Sequence, residues 1–181
     1  MIFKTKIFLL SFVAVLGSAL IGLMLSNSSH AANPEPVVVQ VAFVAPIQIN
    51  ETNPLEFGTI DVAFAAGNTI AIATDDTPTE VPPGRILGGT QRSAKLDVIV
   101  TPGRPINILV TPGAPGTGYT IGSWTCDYDV AGPAACATPG LSATSVSGAG
   151  SVVRVGATIL GNGLAVIGDH DSSFTLTVAY E

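Results

Sequence analysis

Basic side chains are scarce in this sequence: 7 Lys and Arg stand against 13 Asp and Glu, for a formal net charge of −6. Phosphate backbones are bound through positive patches, which so few cations cannot assemble, so nucleic acid is excluded as a partner. Histidine is rarer still, with only His30 and His170, and neither a tetrahedral zinc site nor a serine-type relay has much to draw on. No P-loop, H-E-x-x-H or G-x-S-x-G pattern is present, which removes the commonest nucleotide, metalloprotease and hydrolase readings. Long helical periodicity is missing as well. No window repeats its apolar residues every three to four positions, so a helical bundle is excluded.

Glycine and proline are abundant instead. Twenty glycines and 13 prolines among many Val, Ile and Thr residues describe short strands separated by turns. One apolar run, Ile7 to Leu25, follows Lys4 and Lys6 and leads into polar residues ending at Ala31-Ala32. That order of basic, apolar and small residues predicts a signal peptide over 1–31, cleaved after Ala31. A retained anchor is the alternative, because the run approaches the roughly 20 residues that cross a bilayer. No later stretch is long enough to span, so the mature chain is expected to be exported without a membrane span, through the periplasm to the cell surface or beyond. Removing 31 of 181 residues leaves 150, a single domain over 32–181 by length, with 5 basic residues against 13 acidic.

Cys126 and Cys136 are the only cysteines. In an exported chain the two are expected to pair, closing the short loop CDYDVAGPAAC. A redox pair would use C-x-x-C near a βαβ pattern, which is absent.

Strand periodicity is strongest near the mature N-terminus. Every odd position from Val37 to Ile49 is apolar: Val37, Val39, Val41, Phe43, Ala45, Ile47 and Ile49. This period of two predicts a strand, with Pro46 marking an edge or a handover. Further strands are expected at Thr69 to Thr74, Lys95 to Thr101, Ile106 to Val110, Tyr119 to Trp124, Ser142 to Ser147, Ser151 to Leu160 and Ser173 to Tyr180, with Asp75 to Gly84 as an exposed acidic loop. Eight or nine short strands about ten residues apart predict an all-β, antiparallel β-sandwich. In the last strand Phe174, Leu176, Val178 and Tyr180 share one face.

That ending has a glycine, Gly168, fourteen residues from the C-terminus, an alternating run and a penultimate tyrosine. It resembles the C-terminal motif of bacterial chaperone-usher pilins. Four segments in order extend the resemblance: Pro46-Ile47-Gln48-Ile49, Leu55-Glu56-Phe57-Gly58-Thr59-Ile60, Gly88-Gly89-Thr90 and Phe174-Thr175-Leu176-Thr177-Val178-Ala179-Tyr180. Together they look like a family of uncharacterised secreted bacterial domains, similar to the major subunits of Mat/Ecp-type fimbriae. The resemblance implies an immunoglobulin-like, pilin-like sandwich assembling by strand addition into a homo-polymer, with a periplasmic chaperone and an outer-membrane usher as partners. The strand-addition residues it implies are Val37, Val39, Val41 and Phe43 on a donor segment within 32–45, and Phe174, Leu176, Val178 and Tyr180 on the last strand. A monomeric adhesion or ligand-binding sandwich at the cell surface is the alternative.

Other chemistry has weak support. His170 lies between Asp169 and Asp171, but neighbours in an extended turn point to different sides, which reads as a polar turn and not a relay. Asp127 with Asp129, and Asp75, Asp76 and Glu80, offer hard oxygens without EF-hand spacing. Trp124 and Tyr128 offer rings for a sugar, although a tryptophan beside a disulfide in a sandwich usually packs on the bridge. No cofactor, metal or enzymatic activity is expected.

Overall fold

The computed structural model describes residues 40–129, 132–145 and 151–181, and the predicted leader with Val37 and Val39 lies outside these residues. The chain groups into two units, 1–42 and 43–181, and the second holds the fold described below.

Twelve strands and no helix occur among the described residues: β1 (Gln48–Asn53), β2 (Thr59–Ile60), β3 (Thr69–Ile72), β4 (Pro78–Val81), β5 (Ile86–Gly88), β6 (Ala94–Ile99), β7 (Pro105–Pro112), β8 (Tyr119–Tyr128), β9 (Ala134–Ala135), β10 (Leu141–Thr144), β11 (Ser151–Gly161) and β12 (Phe174–Tyr180). The fold is the all-β antiparallel sandwich the sequence predicts. β11 organises the larger sheet. One side of β11 pairs with β8 along its length, while the other pairs with β6 through Ser151 to Val155 and with β3 through Ala157 to Leu160. β1 extends the sheet beyond β6, and β4 extends it beyond β3.

The split between β6 and β3 falls at Gly156. A Cβ there would stand 2.4 Å from the Ile72 carbonyl oxygen, so only glycine lets two strands abut along one edge of β11. The smaller sheet has the order β10-β7-β12, and a ribbon of β2 and β5 lies apart.

Alternation places the core between the sheets. Val98, Cys126, Val153 and Val155 from the larger sheet and Ile106, Ile108 and Val110 from β7 are fully buried together. Burying side chains of this size contributes on the order of 1.5–3 kcal/mol each. A second, smaller cluster of Phe64, Ile70 and Ile159 sits under the β2–β5 ribbon, whose Ile60 and Ile86 pack on it. Leu55 and Phe57 pack, partly buried, against the main core, and Gly58 takes the left-handed conformation (φ 76°) that lets the chain turn against the Gly88 carbonyl.

The expected disulfide is present. Cys126 and Cys136 are bonded and fully buried. Thr125 and Cys126 pair with Ala135 and Ala134, and the Val110 N–H donates to the Cys136 carbonyl at 2.8 Å. The bridge therefore pins the point where the chain crosses from β8 in one sheet to the edge of β7 in the other.

Two expected elements differ. Of the strand read from Val37 to Ile49, the described part forms a strand only from Gln48, and residues 40–47 form none. Pro46 supplies no N–H for a ladder, and among the described residues no strand pairs with residues 40–45. Phe43 is 91% exposed and Val41 is 68% exposed. The acidic stretch after Thr74 is not a free loop either, because Pro78–Val81 pairs with β3 as a hairpin. Its carboxylates satisfy backbone donors. Asp75 accepts from the Thr77 N–H, Asp76 from the Ser93 N–H, and Glu80 from the Arg85 and Ile86 N–H groups.

Candidate functional site

The sandwich is sealed on one side and open on the other. On the sealed side, the disulfide-pinned crossover joins the sheets. On the open side, β12 forms the edge of its sheet among the described residues, where it pairs only with β7. Hydrogen bonds at both ends of this pair define its phase. Glu181 N–H donates to the Pro105 carbonyl at 3.0 Å, and Gly113 N–H donates to the Ser173 carbonyl at 2.9 Å. Odd-numbered residues of β12 therefore spend their backbone groups on β7, whereas the N–H and C=O groups of Phe174, Leu176, Val178 and Tyr180 face the free edge. The same four residues carry the inward side chains, as the sequence predicts. Val178 is buried, and the other three are only half-buried.

Along this edge lies a cleft of about 1250 Å³. Leu55, Phe57, Leu96, Trp124, Phe174 and Leu176 form its apolar floor. The Trp124 and Phe174 rings meet at 5.0 Å with a 51° tilt, which fixes both in place. Trp124 is 4% exposed, and its indole N–H has no acceptor among the described residues. A buried donor left unpaired costs about 1–3 kcal/mol, so an occupant bringing a carbonyl or hydroxyl oxygen would be favoured there.

The two ends of the cleft differ. At the C-terminal end of β12 the Tyr180 hydroxyl accepts from the Thr101 N–H at 2.7 Å and donates to the Ala45 carbonyl at 3.0 Å, while Ala45 N–H donates to Thr101 Oγ1 at 2.9 Å. Tyr180 thus bridges the sheets and closes that end, a structural duty the sequence did not reveal. The end near Phe174 is open, and its rim comes from three separate segments carrying Val62, Leu87, Val166 and Ile167.

The loop bearing Val166 and Ile167 is held by His170. The imidazole Nε2 bonds the Val166 carbonyl at 2.9 Å, and Tyr119 donates to the His170 carbonyl at 3.2 Å. Burial pushes the Tyr119 phenol up from its ordinary pKa, and the charge of Asp171 adds to this. His170 is therefore a loop staple, and no contact joins it to Asp169 or Asp171 as a relay. The mouth of the cleft includes Glu51, Asp169 and Asp171 and no lysine or arginine. Glu56 and Asp61 also line it, each paired with an arginine, Arg92 at 2.9 Å and Arg85 at 3.0 Å.

The oxygens considered as cation ligands do not converge. Asp127 accepts from Gly132 N–H at 3.0 Å and Asp129 from Val152 N–H at 2.9 Å. Burial opposes ionisation of Asp76, but hydrogen bonds from Ser93 and the nearby Arg154 hold its carboxyl below the ordinary value of 3.8. Among the described residues no group of three His, Cys, Asp or Glu side chains is placed to share a metal. Trp124 packs in the core cluster that holds the disulfide and is reached only as part of the cleft floor, and Tyr128 is buried with it. No helix among the described residues is long and apolar enough to cross a membrane.

No curated protein and no solved structure matches the chain. A family model does match, over residues 47–180, which takes in the sandwich from the approach to β1 through β12 and so both walls of the cleft. By that match, the chain belongs to the family described as Domain of unknown function (DUF4402).

Proposed function

We propose that the protein is an exported, non-enzymatic structural subunit of a fimbria or pilus-like surface filament, assembled by strand addition into the open side of the sandwich. The observation that carries this reading is the free edge of β12 over an apolar cleft inside an otherwise closed core. An unpaired edge whose inward side chains are half-buried is a template for another strand. The donor is the segment Val37–Val44 of a second copy. It alternates apolar residues, carries no charge and thus meets no repulsion at an acidic mouth. In this structure Phe43 is exposed and lies in no strand among the described residues, which suits a donor better than a core residue. Backbone bonds to Phe174, Leu176 and Val178 would supply affinity, and the odd-numbered side chains would cover the cleft. A one-residue slip turns every apolar group outward, so register is strongly selected. A periplasmic chaperone and an outer-membrane usher fit such a subunit, because an open edge must be shielded before assembly.

The test removes the donor. A chain lacking residues 32–44, which keeps Ala45 and its bonds to Tyr180 and Thr101, is expected to stay monomeric, to bind a synthetic Val37–Ala45 peptide, and to ignore the same peptide with Phe43→Asp. Size-exclusion chromatography and the emission of Trp124, the only tryptophan, read both results. Failure of the intact chain to polymerise, together with indifference of the deleted chain to the peptide, would leave the monomeric surface domain as the better reading.

A further inference from the structure

We infer that the apolar rim formed by Val62, Leu87, Val166 and Ile167 is a docking surface for the body of the next copy of this chain. The inference rests on the strand-addition reading and adds an interface to it.

The four side chains are 53%, 65%, 54% and 91% exposed, and they come from the segment after β2, from β5 and from the loop before β12. Single exposed apolar residues need no explanation, but several brought together at one cleft mouth mark an interaction site. The loop is not loose: His170 and Tyr119 hold its backbone, so Val166 and Ile167 are presented on a braced support.

The cleft itself identifies the occupant. Its far end is closed by the Tyr180, Thr101 and Ala45 bonds, so a donated strand must have its own body at the rim end. The donor segment joins its body at Ala45, and the surface around that junction is also apolar and exposed, with Val44 at 46% and Ile49 at 37%. One molecule therefore carries two unlike apolar patches, a rim at the Phe174 end of β12 and a base at the Tyr180 end. Unlike patches on one chain make heterologous, head-to-tail contacts, which propagate as filaments unless they close into a ring. With Val44 at the rim, the donated strand runs antiparallel to β12.

The experiment uses the chain with its N-terminal segment intact. Ile167→Asp changes a residue that is almost fully exposed, so folding and the disulfide are expected to be unaffected. Association of this variant is expected to weaken at least roughly tenfold, as when a central anchor of an interface is removed. Its cleft should still take the Val37–Ala45 peptide, seen as an unchanged shift of Trp124 emission. The variant keeps its donor segment and base, so small amounts added to wild-type chains should terminate and shorten their polymers. Leu87→Asp should behave alike. Wild-type chains that neither polymerise nor bind the peptide overturn the strand-addition reading and this inference with it. Polymerisation of Ile167→Asp and Leu87→Asp at wild-type strength overturns the rim alone. Loss of peptide binding in these variants also overturns it, by showing that the rim shapes the cleft instead of docking a body.

Discussion

β7 and β12 lie side by side in one sheet and carry the same alternation of apolar and polar residues, yet their inward faces have different fates. Ile106, Ile108 and Val110 of β7 are wholly buried, whereas Phe174, Leu176 and Tyr180 of β12 remain half-buried. The difference is one of neighbours. β7 has β10 on one side, β12 on the other, and the disulfide-pinned crossover bonding Val110, while among the described residues β12 has a neighbour on one side only. Burial in a sheet follows from what flanks and faces a strand, so identical patterning gives a core at one position and a binding surface at the next.

The comparison breaks most sharply at Ile108. Replacing it by alanine should cost about 2–5 kcal/mol, measured by denaturant unfolding, because a fully buried side chain leaves a cavity among rigid strands. Replacing Cys126 and Cys136 together by alanine should cost about 3 kcal/mol by freeing the loop in the unfolded chain, and should leave peptide binding on the open side intact if the two sides are independent. Leu176→Ala, on the open side, should cost the isolated domain only about 1 kcal/mol, since its side chain is only partly buried. Its larger effect should appear as weaker peptide binding. A Leu176 variant as damaging as Ile108→Ala would show that the open side is closed in solution.

Asp76 offers a smaller test away from both sides. Its carboxyl titrates lower when folded than when unfolded. The stabilisation is therefore complete above the unfolded value of 3.8 and is lost as pH falls through the lower folded value. Thermal melts of wild type and Asp76→Asn should converge toward the acid end of that window. Phe43→Asp should have the smallest effect of all on the monomer, within about 0.5 kcal/mol, as for an exposed surface position, while abolishing donation. A large loss of monomer stability would mean that Phe43 lies in its own core.

Strand positions were legible wherever alternation coincided with a partner. Ile70, Leu96, Val98, Ile106 and Ile108 are buried as their periodicity implies, and Cys126 and Cys136 pair as their exported context suggested. The alternation before Pro46 was equally regular but produced no strand over the described residues 40–45, because alternation states which faces a strand would have and not whether a neighbour exists to bond it. The hairpin of β3 and β4 was hidden for the opposite reason. Its acidic and proline-rich sequence looks like solvent-exposed loop, and its ladder depends on Asp75, Asp76 and Glu80 capping N–H groups that polarity alone does not reveal. The rim went unseen because Val62, Leu87 and the Val166-Ile167 pair lie on three separate short segments joined only in space.

By itself the sequence determined the all-β class, the inward faces of the long strands and the cross-link, since these follow from local geometry and side-chain chemistry. Only the tertiary structure decided that β12 ends the sheet, that Tyr180 closes one end of the cleft and that the other end stays open. Those features depend on which strands find neighbours, and pairing between distant segments leaves no local mark on the residues that make it.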